Sequence, residues 1–284
     1  MLAYFNGGYL QEEDIRISPN DRGFLFADGI YDVIRVYNGH PYRLDDHLTR
    51  LSNSARELRL APFDFSFLAA VTRRLLAENN LTGAATVYWQ ITRGAATTRK
   101  HAFPEPPTPL TIYGAARPLD ESRLRRQQEL GIAAITVSDK RWARCDIKTT
   151  ALTANVMANQ EAAERDADEA IFIRDGALLE GSHTNIMAVV DGELRTAPLS
   201  HSILPGITRG AVLELCRELG IAVREMPVLQ HEIPRLAELM ALSTTLEVTP
   251  VVNLDGQAVA DGRPGPVTRQ LSQALRQQIT RLCT

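Results

Sequence analysis

Apolar positions along the chain follow two rhythms, and the switches between them mark out the elements. Leu48, Leu51, Ala55 and Leu58 recur at helical spacing over residues 46–60, and residues 67–78 repeat the pattern. Before them, the β-rich run Tyr31-Asp-Val-Ile-Arg-Val-Tyr37 turns at Asn38-Gly39 into His40-Pro-Tyr-Arg43. Residues 85–92 and 110–115 read as strands, separated by Phe103-Pro-Glu-Pro-Pro-Thr-Pro109, which is too rich in proline for regular structure. An Arg-Pro-Leu-Asp stretch within residues 116–121 predicts a linker, leading to a helix that stops near Gly131. Beyond it come a strand over 132–137 and an Ala-rich helix over 151–165. The turn dipeptides Asp175-Gly176 and Asp191-Gly192 follow, flanked by strands over 170–173, 177–180, 186–190 and 193–196. Helices over 207–219 and 266–281 complete the prediction. The result is an α/β (α+β) architecture in two lobes, a smaller N-terminal domain over residues 1–117 and a larger C-terminal domain over 118–284.

Composition narrows the partners. Lys and Arg total 31 against 34 Asp and Glu, a net charge of −3, which argues against nucleic acid or an anionic membrane surface. No apolar run approaches the roughly 18 residues of a membrane span. The opening Met-Leu-Ala-Tyr-Phe-Asn-Gly-Gly has no basic region followed by an apolar stretch, so a cytoplasmic location is expected. Cys145, Cys216 and Cys283 are odd in number and widely separated. That fits a reducing compartment and offers no metal-ligand spacing.

Candidate chemistry concentrates at Lys148, in Arg144-Cys-Asp-Ile-Lys-Thr-Thr150, and at Glu180, in Glu180-Gly-Ser-His-Thr-Asn185. A lysine amine condenses with an aldehyde as a Schiff base when burial or a neighbouring cation leaves some of it deprotonated. A carboxylate at a pyridine nitrogen keeps that nitrogen protonated, so the ring can draw in electrons from a breaking Cα–H bond. The pair suggests a pyridoxal 5′-phosphate enzyme, although each residue alone reads as a solvated lysine or a turn glutamate. Pro205-Gly-Ile-Thr208 opens a predicted helix, whose unpaired first amides suit a phosphate as well as an ordinary N-terminus. On residue type alone, Arg50 is a solvated helix face, Tyr31 is packing, and Arg99-Lys-His101 is a basic turn.

Taken together, the motifs occur in the order and spacing of one family. Asp21-Arg-Gly-Phe-Leu-Phe-Ala-Asp-Gly-Ile-Tyr31, His47-Leu-Thr-Arg50, Ile91-Thr-Arg-Gly94, the Lys148 and Glu180 segments, Leu204-Pro-Gly-Ile-Thr-Arg209 and Ser243-Thr-Thr-Leu-Glu-Val-Thr-Pro250 resemble the fold type IV aminotransferases from Tyr4 to about Thr268. The resemblance implies a two-domain enzyme whose larger domain is built on a barrel-like β structure, with pyridoxal 5′-phosphate as cofactor. It implies Lys148, Glu180 and Tyr31 as catalytic residues. Arg50, Leu204, Ile207, Thr208 and Thr244 become cofactor contacts beside Lys148 and Glu180. Tyr31, Arg99, His101 and Thr245 become substrate contacts, Arg99 and His101 serving a neighbouring subunit's site in a homodimer.

The activity implied is ping-pong transamination between amino acids and 2-oxo acids, with D-alanine as donor and 2-oxoglutarate as acceptor. Branched-chain L-amino acid transamination, aminodeoxychorismate lyase activity and R-selective amine transamination are the alternatives. Arg99 and His101 favour the D-amino acid reading, because a guanidinium holds a carboxylate through two parallel bonds and His adds a third donor. Ser182, Thr184 and Ser243 are hydroxyl residues that tune the cofactor or cap turns, and Arg144 with Asp146 predicts a local ion pair. Asp32, His183 and Leu246 depart from the family pattern and bear on side-chain preference.

Overall fold

The computed structural model describes residues 1–283, which divide into two compact units. The first comprises residues 1–119 together with 147–152 and the described residues beyond 281; the second comprises 120–146 and 153–281. Lys148 therefore belongs to a short return of the chain into the first unit.

In the first unit, β1 (Leu2–Phe5), β2 (Gly8–Gln11), α1 (Arg22–Phe26), β3 (Gly29–Tyr37) and β4 (His40–Pro41) precede α2 (Leu44–Glu57) and α3 (Leu68–Glu78); β5 (Ala85–Thr92) and β6 (Thr111–Pro118) close it. The strands form one sheet in the order β2-β1-β6-β5-β3-β4. Its neighbours are antiparallel throughout. On α2 the buried positions Leu44, Leu48, Leu51 and Ala55 make one stripe, and Asp45 and Asp46 sit in the first turn, where the helix dipole favours acid. That stripe packs with Leu68 and Leu75 of α3 and with Ile34, Val87 and Trp89 of the sheet. Complete burial of a side chain such as Leu51 contributes about 1.5–3 kcal/mol. The strand expected over 110–115 runs on to Pro118, so the first residues of the expected linker are paired with β5.

The second unit opens with α4 (Ser122–Leu130), β7 (Ile132–Ser138), α5 (Thr153–Glu164), β8 (Glu169–Arg174), β9 (Ala177–Gly181), β10 (Asn185–Val190) and β11 (Glu193–Thr196). It continues through α6 (Ile207–Glu218), β12 (Val223–Glu225), β13 (Val228–Leu229), β14 (Leu236–Ser243), β15 (Glu247–Leu254), β16 (Gln257–Ala258) and α7 (Pro266–Leu282). Its sheet runs β12-β11-β10-β14-β15-β7-β8-β9-β13, and a further pairing of β9 with β10, at Glu180 and Asn185, closes it into a barrel. The Glu180–Asn185 pairing joins the parts of β9 and β10 that β13 and β11 leave uncovered. Ile132, Ile171, Leu178, Ile186, Leu239 and Val251 belong to one core, while Ala158 and Ala162 of α5 pack on Ile135 and Phe172. The barrel-like fold implied by the motifs is thus present. Among the described residues, no helix is long and apolar enough to cross a membrane.

Candidate active site

The first unit brings Lys148 and Tyr31 together. Backbone bonds from Tyr31 to the Lys148 carbonyl and from Thr150 to the Gly29 carbonyl, both 3.0 Å, lay residues 148–150 alongside the start of β3. Ile147 anchors the segment in the core, and the Lys148 amide donates to the Ser54 hydroxyl of α2. Lys148 Nζ lies 3.3 Å from the Tyr31 hydroxyl and 4.4 Å from the centre of its ring. Among the described residues no carboxylate pairs with this amine. Its contacts are with the hydroxyl and the ring face of Tyr31.

Next to Tyr31, Asp32 is buried on the opposite face of β3. Its carboxylate accepts Arg50 Nε at 2.8 Å and Nη2 at 2.7 Å, and His47 Nδ1 approaches at 2.7 Å. An ionised carboxylate can only accept, so Nδ1 carries the proton and donates to Asp32. Burial by itself would raise the Asp32 carboxyl; the Arg50 charge and then His47 more than offset it and hold the group well below the usual carboxylate range. Burial lowers the His47 imidazole, and Asp32 only partly restores it. Arg50, which as an isolated helix residue reads as solvated, is instead buried, with one edge of its guanidinium held by both oxygens of Asp32. Asp32, a departure from the family pattern, is what fixes it.

Arg99 and His101 lie on the segment after β5 and are both exposed in the single chain. The Arg99 guanidinium sits 4.7 Å from the centre of the Phe26 ring, and the His101 ring lies 5.3 Å from it.

The second unit gathers Glu180, Leu204, Ile207, Thr208, Thr244 and Thr245. Glu180 is the last residue but one of β9, where Oε1 accepts from Arg141 Nη1; Oε2 accepts from Asn185 Nδ2 at 3.1 Å and from the Leu204 amide at 2.9 Å. Asn185 also donates to the Leu204 carbonyl at 3.0 Å, so Glu180 and the segment leading to α6 are tied by one amide. Arg141 is itself held by Asp139 and by the Ser202 carbonyl. Burial would lower its guanidinium, but Asp139 and Glu180 more than offset that and keep it a firm cation. Arg144 and Asp146 form the expected local pair, Nη2 to Oδ2 at 2.9 Å.

Gly206 precedes α6, which has no side-chain N-cap, so its first amides remain available to an anion. A Cβ at Gly206 would stand 2.0 Å from Asn185 Oδ1, a distance no side chain can occupy without displacing Asn185. Ile207 and Thr208 are the first two residues of that helix. Register places Leu242 of β14 opposite Asn185, so Thr244 and Thr245, in the turn into β15, fall at the same end of the barrel as Glu180. Ser182 and Thr184 serve a different partner: Glu169, fully buried, accepts the Ser182 hydroxyl at 2.6 Å and that of Thr184 at 2.8 Å. These hydroxyls brace the turn after Glu180. His183 leans on the same carboxylate from a half-exposed position, 3.2 Å away.

Sequence reasoning missed Arg141, Asp139, Asn185 and Glu169. Arg141 carries no signal that would separate it from a surface cation. Asn185 stood at the end of a quoted motif, and its spacing from Glu180 across a tight turn was the usable clue.

In the first unit a lysine beside a phenol suits an aldehyde; in the second an acid clamped by an arginine and an uncapped helix opened by a glycine suit a pyridine nitrogen and a phosphate. The amino-transferase class IV model matches residues 29–254, and the chain belongs to that family, whose members are pyridoxal phosphate enzymes. The chain is 40% identical to a D-alanine aminotransferase of Bacillus licheniformis over 98% of its length and 97% of the relative's, and 37% identical to one of Listeria monocytogenes over 100% and 98%. Among solved structures, the branched-chain amino acid aminotransferase of Escherichia coli superposes with a TM-score of 0.91 at 28% identity, covering 100% of this chain and 96% of that one. That of Thermoproteus uzoniensis gives 0.87 at 25% identity, covering 99% and 95%.

Proposed function

We propose that the protein is a pyridoxal phosphate-dependent D-amino acid aminotransferase, working by a ping-pong cycle with D-alanine as donor and 2-oxoglutarate as acceptor. The near-full-length relatives named D-alanine aminotransferase support the D-amino acid side of the family. The branched-chain enzymes among the structural likenesses mark the alternative, and Arg99 with His101 argues against it. A branched side chain calls for a mainly apolar pocket where Arg99 and His101 stand.

When bound, the cofactor supplies an electron sink for the substrate's Cα–H bond. Lys148 would hold it covalently and would serve as the base that moves the proton from the substrate Cα. Tyr31 orients the amine through its hydroxyl and offers a hydrogen bond to the substrate carboxylate without adding a charge. Glu180 would hold the ring nitrogen, its carboxylate braced by the ion pair with Arg141. Arg50, Ile207, Thr208 and Thr244 bind the phosphate, and Leu204 packs on the ring. Arg99, His101 and Thr245 bind substrate, Arg99 and His101 across a homodimer, and a cytoplasmic enzyme with a reversible Schiff base to Lys148 follows from the same reading.

Lys148 carries the proposal: its amine lies 3.3 Å from the Tyr31 hydroxyl, and among the described residues no carboxylate pairs with it. After reduction with borohydride, the parent is expected to retain cofactor through denaturation, and Lys148→Ala is expected to abolish that retention and to remove nearly all turnover. Retention of either in the variant refutes the assignment.

A further inference from the structure

The Asp21-Arg-Gly motif has no part in the division of labour above, yet Arg22 is among the most enclosed charges of the first unit, 4% exposed. Its guanidinium is spread over three consecutive carbonyl oxygens. Nη1 donates to Lys100 at 2.6 Å and to Ala102 at 3.2 Å, and Nη2 donates to His101 at 3.1 Å. These are the peptides immediately after Arg99, in a stretch that belongs to no helix or strand. Nε faces Asp28 Oδ2 at 2.7 Å. Asp28 in turn accepts Arg93 Nε at 2.7 Å and Nη2 at 2.9 Å. Arg93 reaches the Arg59 and Leu58 carbonyls at 2.7 and 2.8 Å and lies 3.6 Å from the centre of the Phe103 ring. Its own carbonyl accepts the Thr108 hydroxyl at 2.6 Å. The segment carrying Arg99 and His101 is thus gripped along its backbone by Arg22, at its far end by Arg93 through Phe103, and both grips meet at one carboxylate.

We infer that Arg22, held by Asp28, is a positioning residue for substrate recognition: it fixes the peptides of residues 100–102 and so sets where the Arg99 and His101 side chains stand. The inference rests on the proposed carboxylate-binding role of Arg99. Irregular backbone with exposed side chains would otherwise sample many conformers, and recognition of a carboxylate by a planar fork tolerates little misplacement. Only a guanidinium provides a flat fan of donors able to serve several carbonyls and a carboxylate at once; an ammonium on a flexible stem is a point charge. Phe26 contributes the floor, since Arg22, Arg99 and His101 all pack on its ring.

Arg22→Lys keeps a cation beside Asp28 and removes the fan, which separates positioning from gross folding. In the holoenzyme the variant is expected to raise KM for D-alanine at least roughly tenfold while kcat stays within about threefold and cofactor content is unchanged, since small displacements of binding groups have costs of this order. Amide exchange across residues 99–103 is expected to speed up. In an Arg99→Ala background the same substitution is expected to add no further rise in KM. An unchanged KM in Arg22→Lys, or an equal rise in both backgrounds, overturns the inference. If Arg99→Ala itself leaves KM unchanged, the carboxylate-binding role of Arg99 has failed; if Arg99→Ala raises KM and Arg22→Lys does not, only the positioning role has.

Discussion

Replacing Asp32 with Asn would leave the buried Arg50 guanidinium facing a neutral amide in place of its carboxylate. Asp32 is 1% exposed and Arg50 7%, so water cannot take over the lost charge. Removing one partner of such a pair costs about 3–5 kcal/mol, and the lower end applies because the amide oxygen still accepts from His47 Nδ1. About 3 kcal/mol corresponds to a fall in Tm of roughly 6–12 °C for a protein of this size. Calorimetry of the cofactor-free protein at pH 7 reads the shift directly. A Tm within about 2 °C of the parent would refute the argument that Arg50 depends on Asp32. The sign of the acid response follows from the same geometry. A depressed carboxyl contributes stability above its unfolded value of about 4 and loses it as pH falls further. The lowered His47 acts in the same direction, because from about pH 6.5 downward the unfolded chain takes up a proton that folded His47 refuses. Acid should therefore destabilise the parent in two stages, one beginning near each of these values.

Two further substitutions probe the second unit. Arg141→Met keeps bulk but removes the cation at Glu180; losing a hydrogen bond to a charged group costs about 1.5–3 kcal/mol, so kcat should fall roughly ten- to a hundredfold with cofactor still bound, and an unaltered kcat would contradict the role given to the pair. Gly206→Ala forces a methyl into Asn185, an overpacking cost of typically 1–3 kcal/mol, and titration with pyridoxal phosphate should show weaker binding; unchanged affinity would mean that this turn takes no part in holding the phosphate.

The local elements were largely legible because each is announced by its own residues. Ala85–Thr92 and Glu193–Thr196 run as the pattern predicts, and the helix over 122–130 does end at Gly131, which adopts a positive φ of 84°. The region from Val223 to Ala258 was not, since β12, β13 and β16 are two or three residues long and the eight-residue β14 and β15 are buried along most of their length, so neither kind carries an alternation to read. Barrel closure, through Glu180 opposite Asn185, is a property of pairing and appears in no single segment. The site shows the same division. Lys148, Glu180 and Arg50 could be singled out through motif order, whereas the contact of Tyr31 with Lys148 spans 117 positions and Arg141 meets Glu180 across 39. Asp32 is the instructive residue: as a sequence departure it bears on substrate preference, and in the fold it is the buried partner of Arg50.

The central claim, transamination of D-amino acids at Lys148, is tested most directly by a half-reaction. Purified protein carrying its cofactor is mixed with D-alanine and, separately, with L-leucine, without any 2-oxo acid acceptor, and the visible absorption band of the bound cofactor is followed. The account predicts bleaching to the pyridoxamine form with D-alanine and release of pyruvate, with no change in the L-leucine sample. Bleaching with L-leucine alone would contradict it and assign the chain to branched-chain transamination.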